Sequence, residues 1–147
     1  MTDNPYQTMA QRFLEAIPHN QALGIALVDL QRGRARCRLP GKPALQGDPE
    51  RGLYFPSVLL TLADAASGVA FVSALNEMVS VATLDLRIDY LRPVSVAEAL
   101  VVDAHCYRCS GDVGFVQCDI HAEDAGAHAA RVTASFMRRA TRPGAAR

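Results

Sequence analysis

The sequence predicts an α+β fold in which an antiparallel sheet wraps around one long helix. Residues 56–75 form a nearly uninterrupted apolar stretch, while the second half of the chain alternates apolar and polar residues between short turns. Alternation with a period of two is typical of strands with one buried face, and short turns join antiparallel neighbours. A helix that is hydrophobic on nearly all sides needs cover on nearly all sides, so we expect the sheet to curl around it.

The first third of the chain predicts a helix, a hairpin and a loop. Pro5 to Ile17 has apolar residues at three- and four-residue spacing and predicts a short amphipathic helix that Pro18 ends. Two short apolar-rich runs follow, Gly24 to Gln31 and Arg34 to Leu39, and the Arg-Gly pair between them predicts a β-hairpin. Pro40 to Gly52 is rich in Pro, Gly and charge, which indicates a loop long enough to be functional.

The long helix is predicted from Pro56 to Leu75, because a proline at the first helical position gives up only a donor that the helix does not use. Val79 to Leu91 is predicted to be a strand. Its alternation assigns one set of side chains to the buried face: Leu84, Leu86, Ile88 and Tyr90. The opposite set faces solvent: Thr83, Asp85, Arg87 and Asp89.

Three more strands are predicted, from Leu100 to Cys109, around Val116 to Ala122 and around Ala130 to Phe136, which brings the total to about six. The short turns between the strands favour an antiparallel meander. The whole chain, residues 1–147, is predicted to be one domain, with 1–18 as an N-terminal helix segment and 139–147 as a disordered tail.

Charge and composition argue against several classes of function. Fifteen basic and fifteen acidic side chains cancel, which leaves no electrostatic reason to expect nucleic acid or an anionic membrane as a partner. The N-terminus lacks the basic and apolar regions of a secretory signal, so we expect a cytoplasmic protein. Asp64, Ser67 or Gly68 interrupts the longest apolar run, so we expect no membrane-spanning helix.

The four cysteines, Cys37, Cys106, Cys109 and Cys118, lie in predicted strands, which suits buried reduced thiols without disulfides. Cys106 and Cys109 form a C-x-x-C pattern, but residues three apart on an extended strand point to opposite faces. With no second such pair and no nearby pair of histidines, we expect neither a metal site nor a redox site. The sequence has no Gly-rich phosphate loop and no Ser-His-Asp arrangement, which favours chemistry without a cofactor.

Asp64 is the only charged residue between Gly52 and Asn76. An ionised carboxylate removed from water is so costly that such groups are paired, protonated or functional. Burial also raises the pKa of a carboxyl group, which suits it to acid or base work near neutral pH. The alternative is that Asp64 lies on a solvated side or at a boundary of the helix and has no role.

Two motifs together resemble those of the hotdog-fold acyl-CoA thioesterases of the PaaI type. One is the helical Leu62-Ala63-Asp64, and the other is the strand motif from Ala82 to Pro93, which ends in Asp89-Tyr90-Leu91-Arg92-Pro93. The segment Ala22-Leu23-Gly24-Ile25 before the first strand and Phe136 in the last strand agree with it. The resemblance covers about residues 19–138.

The resemblance implies a hotdog homodimer or homotetramer, with sheets joined edge to edge and two active sites at the subunit interface. The substrate would be an acyl-CoA thioester. Asp64 would act as general base or nucleophile. Thr83 would reach from the partner subunit to orient the attacking water, and a backbone N–H at the start of the helix would donate to the developing oxyanion.

The chain departs from this family at the start of the helix. The family's His-Gly-Gly motif begins nine residues before the aspartate, and counting back from Asp64 puts Phe55, Pro56 and Ser57 there. The expected donor is the N–H of the first glycine, and Pro56 has none. Losing one oxyanion donor costs about 100- to 1,000-fold in rate. Gln46 or Asp48 could replace a polar Asn that relatives often carry before this motif.

Three interpretations follow. In the first, the N–H or hydroxyl of Ser57 replaces the missing donor, because a helix start still presents free donors one residue later, and hydrolysis continues. In the second, hydrolysis is lost and the chain binds acyl-CoA without turning it over. In the third, the chain hydrates or dehydrates an acyl thioester, but those hotdog enzymes need a His near the helix start, where Phe55 stands.

Counting by helical steps from Asp64 places four residues near one stripe of the helix, small and partly polar among Leu and Val: Ser57, Thr61, Gly68 and Phe71. They could form the floor of an acyl or pantetheine channel. Small residues also let a helix approach a sheet closely, and Gly68 suits that structural role at least as well.

Two arginines and a histidine are further candidates. Arg87 lies between Asp85 and Asp89, so we expect it to form an ion pair. Arg92, at the exit of the strand, is the better candidate to hold a coenzyme A phosphate. His19 precedes the first strand, in a segment that could flank the pocket.

Overall fold

The structure is a computed structural model that describes residues 5–139. The tail predicted at 139–147 lies outside the described residues, apart from Arg139. The helices are α1 (Pro5–Glu15), α2 (Pro18–Leu23) and α3 (Pro56–Leu75). The strands are β1 (Ala26–Gln31), β2 (Arg34–Leu39), β3 (Gln46–Asp48), β4 (Leu53–Tyr54), β5 (Val81–Tyr90), β6 (Leu100–Ser110), β7 (Val113–Ala122) and β8 (His128–Arg138).

A six-stranded antiparallel sheet packs against α3, which confirms the predicted α+β architecture. The strand order is β1-β2-β6-β7-β8-β5. Leu62, Ala66 and Phe71 of α3 are fully buried beneath the sheet. The predicted bounds of α3 agree with the structure, because Pro56 and the αL cap at Asn76 mark its two ends.

The prediction of a meander in sequence order is only partly correct. Strands β6, β7 and β8 follow one another, but β5 pairs with β8 and lies at the edge of the sheet. The connection after β5 runs beside β4, where the Tyr54 N–H donates to the Val94 carbonyl at 3.0 Å. It leads to β6, which lies between β2 and β7 in the sheet. Among residues 5–139, this crossover leaves one edge of β5 without a neighbouring strand.

The segments before α3 are more ordered than the sequence predicts. Pro18 ends the first helix but also occupies the first turn of α2, where a proline is well tolerated. Within the predicted loop, a 3₁₀ turn at Pro43–Leu45 precedes β3, which pairs with β4. Gly47 of β3 lies so close to Phe55 that a Cβ atom there would be 2.6 Å from the Phe55 ring. The hairpin therefore rests directly on the residue that precedes α3.

Helix α3 is long and apolar enough to cross a membrane by length and composition, with a mean hydropathy of 1.9. However, 61% of the apolar window is buried inside the domain, as in the core helix of a folded protein. The burial of α3 under the sheet thus accounts for its hydrophobicity.

Two β-bulges change which side chains share a face. In β5 the register shifts between Thr83 and Asp85, and in β6 it shifts between Cys106 and Arg108. A bulge inserts one extra residue and so reverses the alternation beyond it. The prediction that Cys106 and Cys109 point to opposite faces was wrong for this reason, because their Sγ atoms lie 3.7 Å apart. All four cysteines are free thiols, and Cys109 is exposed rather than buried.

Candidate active site

The first turn of α3 leaves one backbone donor free. Phe55 caps the helix in an extended conformation, and its N–H donates to the Leu45 carbonyl at 2.9 Å. The Val58 N–H donates to the Phe55 carbonyl at 3.0 Å, and Pro56 has no N–H. The Ser57 N–H makes no hydrogen bond to any residue in the range 5–139. Ser57 is exposed, so this donor is open to a ligand.

Asp64 lies two turns further along α3 and is partly buried. The Thr83 hydroxyl donates to its Oδ1 at 2.7 Å. The second carboxylate oxygen has no hydrogen-bond partner among the described residues, so it can accept a proton from a water molecule. Both Asp64 and Thr83 belong to one chain here, whereas the resemblance implied a hydroxyl from the partner subunit.

The bulge in β5 explains why Thr83 reaches Asp64. The alternation of the strand assigned Thr83 to the solvent face and Tyr90 to the buried face. In the structure both side chains meet α3, since Tyr90 donates its hydroxyl to the Pro56 carbonyl at 3.0 Å. These two residues are an odd number of positions apart, and only the extra residue of the bulge allows them to share a face. Thr83 is exposed, but the prediction that Thr83 and Tyr90 lie on opposite faces of the strand was therefore wrong.

A cleft of about 550 Å³ opens beside the helix start. It is lined mainly by apolar and aromatic residues from β4, α3 and the end of β5, including Tyr54, Phe55, Leu59, Tyr90 and Leu91. Three of the predicted binding residues meet there, Phe55, Pro56 and Arg92. Arg92 is exposed and donates to the His128 carbonyl at 3.3 Å. Asp48, at the end of β3, also lines the cleft. The volume is that of a small-molecule site.

Thr61 and Gly68, the other predicted binding residues, lie outside this cleft. Gly68 is buried, and a Cβ atom there would be in ordinary van der Waals contact with the ring of Phe136, at 3.7 Å, so the packing against the sheet does not require a glycine at this position. Thr61 donates to the Ser57 carbonyl at 3.1 Å, and its oxygen lies 3.5 Å from Nε2 of His19. The structure thus places His19 beside the first turns of α3.

Sequence reasoning assigned Tyr90 only to the core, whereas the structure places it at the site. It is 48% exposed, and partial desolvation of its phenol raises the pKa above the usual range. The neutral phenol anchors the carbonyl of the first helical residue and so fixes the position of the helix start. The signal for Tyr90 in the sequence was the strand motif that contains it. The motif does not show which face the Tyr90 side chain occupies, because that depends on the bulge.

The expected ion pair of Arg87 is confirmed with Asp89, at 3.0 Å. Within residues 5–139, no three His, Cys, Asp or Glu side chains come together in a way that could hold a metal ion. The polar groups of the candidate site are the Asp64 carboxylate with the Thr83 hydroxyl, the Ser57 N–H and, beside Thr61, the His19 imidazole. Such groups suit proton transfer and the stabilisation of an oxyanion.

A model of the thioesterase superfamily matches residues 52–129, which is more than half of the 147-residue chain and includes α3 and β5. The chain belongs to the thioesterase superfamily. The predicted class of enzyme, a thioesterase, is confirmed at this level.

Relatives support this assignment. A proposed esterase from Halobacterium salinarum is 35% identical over 101 residues, which are 67% of this thioesterase and 66% of that protein. The medium/long-chain acyl-CoA thioesterase YigI of Escherichia coli K12 is 25% identical over 142 residues, 88% of this chain and 90% of YigI.

Solved structures confirm the hotdog fold. A Pseudomonas aeruginosa protein superimposes with a TM-score of 0.82 at 34% identity, covering 92% of this chain and 100% of that one. Escherichia coli PaaI also gives a TM-score of 0.82, at 19% identity and covering 92% and 94% of the two chains, which is a likeness of fold.

Proposed function

We propose that this thioesterase hydrolyses acyl-CoA thioesters and that Asp64 is its catalytic carboxylate. The contact between Asp64 and Thr83 carries the proposal. One carboxylate oxygen is oriented by the hydroxyl at 2.7 Å, and the other has no partner among the described residues. A catalytic base needs this combination of a fixed orientation and a free oxygen.

As a general base, Asp64 takes one proton from a water molecule as the water oxygen attacks the thioester carbonyl. The carbonyl oxygen becomes an oxyanion. When the intermediate collapses, the carbon–sulfur bond breaks and the thiolate takes the proton from Asp64, giving a carboxylic acid that loses its proton to solvent. As a nucleophile, Asp64 itself attacks the carbonyl carbon, and the carbon–sulfur bond breaks to release the thiolate. Water then hydrolyses the mixed anhydride, which frees the Asp64 carboxylate and gives the carboxylic acid, whose proton the thiolate or solvent takes.

Ser57 is the donor that remains at the helix start. Its N–H is free within the described chain and lies at the positive end of α3, where a developing negative charge is stabilised. Its exposed hydroxyl is a second possible donor. Hydrolysis can therefore continue although Pro56 has no N–H.

The cleft suits an acyl-CoA substrate. Its apolar lining offers a surface to the acyl chain or the pantetheine arm, and Arg92 at its rim can bind a phosphate group of coenzyme A. The name of YigI, a medium/long-chain acyl-CoA thioesterase, supports the same class of substrate. We propose that the reaction needs no cofactor and takes place in the cytoplasm, with neither nucleic acid nor membrane as a partner.

We further propose that a second copy of the chain covers the free edge of β5, giving a homodimer or homotetramer. At the opposite edge of the sheet, α1 packs against β1, and the Gln11 side chain accepts a hydrogen bond from the Leu27 N–H at 3.0 Å. On β5, by contrast, Leu84 is 52% exposed. An uncovered apolar edge strand is a surface for strand pairing, and it lies beside Thr83.

The alternative function is binding of acyl-CoA without hydrolysis, and the missing N–H of Pro56 is the observation that favours it. The test is thiol release from short, medium, long and aryl acyl-CoAs, with the Asp64→Asn variant as background. We expect at least one of them to be hydrolysed well above that background. If none is, while the CoA esters still bind, the protein is a binding module and not a hydrolase.

A further inference from the structure

His19 contacts α3 at Thr61, about one helical turn from the helix start, where the expected backbone donor is missing. Its Nε2 is 3.5 Å from the Thr61 hydroxyl oxygen, although the two residues are 42 positions apart in the chain. Short helix α2, which begins at Pro18, carries the imidazole there. His19 is exposed, so its ring is accessible to a substrate at the start of α3.

The Thr61 hydroxyl defines which atom of His19 carries a proton in this contact. That hydroxyl has a single hydrogen, which it donates to the Ser57 carbonyl at 3.1 Å. The hydroxyl oxygen can then only accept a hydrogen bond from His19, so in a hydrogen bond between the two groups Nε2–H is the donor. At 3.5 Å the interaction is long for a hydrogen bond.

The position of Thr61 also relates His19 to the catalytic carboxylate. At about 100° per residue, Ser57, Thr61 and Asp64 lie on one side of α3, with Thr61 and Asp64 as neighbours three residues apart. The imidazole therefore lies along the side of the helix that carries Asp64. A thioester whose carbonyl carbon faces Asp64 would bring its oxygen toward the free Ser57 N–H and His19.

We propose that the Nε2–H of His19 donates to the thioester oxygen and replaces the backbone donor that Pro56 lacks. This role rests on the proposed hydrolase function. In the step it assists, water adds to the carbonyl carbon, Asp64 takes the proton, and the oxygen that becomes negative is held by His19 Nε2–H and Ser57 N–H. The imidazole keeps its proton throughout, so it acts as a hydrogen-bond donor and not as an acid.

The test compares kcat and KM for His19→Ala, His19→Gln and wild type on the best acyl-CoA substrate. His19→Ala should lower kcat by about 100-fold, within the range for loss of one oxyanion donor, and leave KM within about threefold. His19→Gln should recover at least a tenth of the wild-type kcat, because its amide can still donate an N–H. His105→Ala, on the strand β6, serves as a matched histidine control with unchanged kcat.

The outcomes separate this proposal from the hydrolase function. If the wild type hydrolyses acyl-CoA and His19→Ala keeps kcat within threefold, His19 is not the donor, although the function stands. Equal losses in His19→Ala and His19→Gln would also overturn the donor role. If the wild type does not exceed the Asp64→Asn background, both proposals fail together.

A second inference rests on the bulge in β6, independently of the active site. The bulge brings the Sγ atoms of Cys106 and Cys109 to 3.7 Å. Cys106 pairs with Val116 of β7, and Cys109 pairs with Gly114. Because Val116 and Gly114 are two residues apart, the Cα atoms of Cys106 and Cys109 opposite them are separated by roughly 6.7 Å. That spacing is at the upper end of the range of about 4.4–6.8 Å seen for disulfides.

We propose that Cys106 and Cys109 form a reversible intramolecular disulfide when a hydroperoxide oxidises them. The two thiols lose two protons and two electrons, the sulfur–sulfur bond forms, and hydrogen peroxide is reduced to two molecules of water. Cys109 is exposed and meets the oxidant first, and Cys106 then displaces water from its sulfenic acid. Cys37, Cys106 and Cys118 are buried, which leaves Cys109 as the accessible starting point.

The test is thiol titration and intact mass of the full chain after one equivalent of hydrogen peroxide. We expect two of the four thiols to disappear, a mass lower by two hydrogen atoms, one peptide linking Cys106 to Cys109, and full reversal by dithiothreitol. Cys109→Ser should retain its three thiols. Added oxygen atoms in place of the mass loss, cross-linked chains, or four remaining thiols would each overturn the proposal.

Discussion

Asp64 and Thr83 show how a single side-chain contact turns an unusual residue into a candidate catalytic group. The sequence identified Asp64 because a lone carboxylate in an apolar helix requires an explanation. It also indicated Thr83 through the resemblance, but its alternation placed that residue on the wrong face. A bulge of one residue cannot be read from a pattern of period two, so this part of the site became visible only in the structure.

Pro56 determines which donors the site has. Replacing Pro56 with Gly restores an N–H at the first position of α3, and we expect kcat to rise because the oxyanion gains a donor. The rise should be larger in the His19→Ala background than in wild type, since two donors that serve one oxygen are not additive. Steady-state thiol release on the four proteins measures this coupling. An unchanged or lower kcat in both backgrounds would show that residue 56 does not face the oxyanion.

At the scale of elements, the sequence predicted the long helix and the number of strands of the main sheet but not their order. Helix α3 was predictable because its apolar stretch has a proline at one end and a polar turn at the other. The position of β5 beside β8 was not, because alternation within a strand carries no information about which strand it pairs with. The same limit applies to the β3–β4 hairpin, whose short strands lie in a segment of loop composition.

The β3–β4 hairpin holds the start of α3 through Gly47. A Cβ at this position would lie 2.6 Å from the Phe55 ring and 2.9 Å from its Cα, so Gly47→Ala must move the residue that caps the helix. We expect a loss of about 1–3 kcal/mol in the free energy of unfolding and a lower kcat. Gly126→Ala, where a Cβ would meet nothing within 4 Å, is the matched control and should change stability by less than about 0.5 kcal/mol. If urea melts show that Gly47→Ala and Gly126→Ala change the free energy of unfolding by the same amount, this role of Gly47 is contradicted.

The outer face of the sheet carries cross-strand ion pairs, such as Arg36 with Asp103 at 2.6 Å. The hydrogen bond from Arg36 lowers the pKa of Asp103 below 3.8 in the folded state. A lowered pKa stabilises the fold above the unfolded-state pKa, and this contribution is lost as the pH falls through the folded-state value.

Asp103→Asn should therefore reduce the free energy of unfolding at pH 7 by about 0.2–1 kcal/mol, a small value because both side chains are partly exposed. The difference from wild type should shrink below about pH 4, where the wild type loses the charge as well. Urea melts at pH 7, 4 and 3 measure this difference in the free energy of unfolding, with Asp112→Asn as control. His121 Nε2 lies 3.4 Å from Oδ2 of Asp103 as a second partner, so the contradicting result is a difference that is undiminished at pH 3 relative to pH 7.

At the scale of the whole molecule, the two edges of the sheet differ. Helix α1 covers β1, whereas no described strand or helix covers the outer edge of β5, the strand that contains Thr83 and Leu84. The site therefore lies at the surface where a second copy would pair. The sequence predicted association from the hydrophobicity of α3 and from the resemblance, and the single-chain structure adds which edge is free.

Leu84→Asp tests that edge directly. A charge on an exposed apolar edge strand disfavours pairing with another copy, so the mass in solution should fall to that of one chain, 15.8 kDa, from twice or four times this value. Light scattering coupled to size-exclusion chromatography measures the mass, and far-UV circular dichroism checks that the chain is folded. A monomeric wild type, or a Leu84→Asp variant that keeps the wild-type mass, would contradict association through β5.

The central claim is that the Asp64 carboxylate does the chemistry on an acyl-CoA thioester. The most direct measurement is kcat for thiol release at saturating acyl-CoA in Asp64→Asn against wild type, with Asp112→Asn as the carboxylate control. We predict a loss of about 100- to 10,000-fold in Asp64→Asn, with unchanged CoA ester binding and thermal stability, and no loss in the control. A kcat within about threefold of wild type would contradict the account.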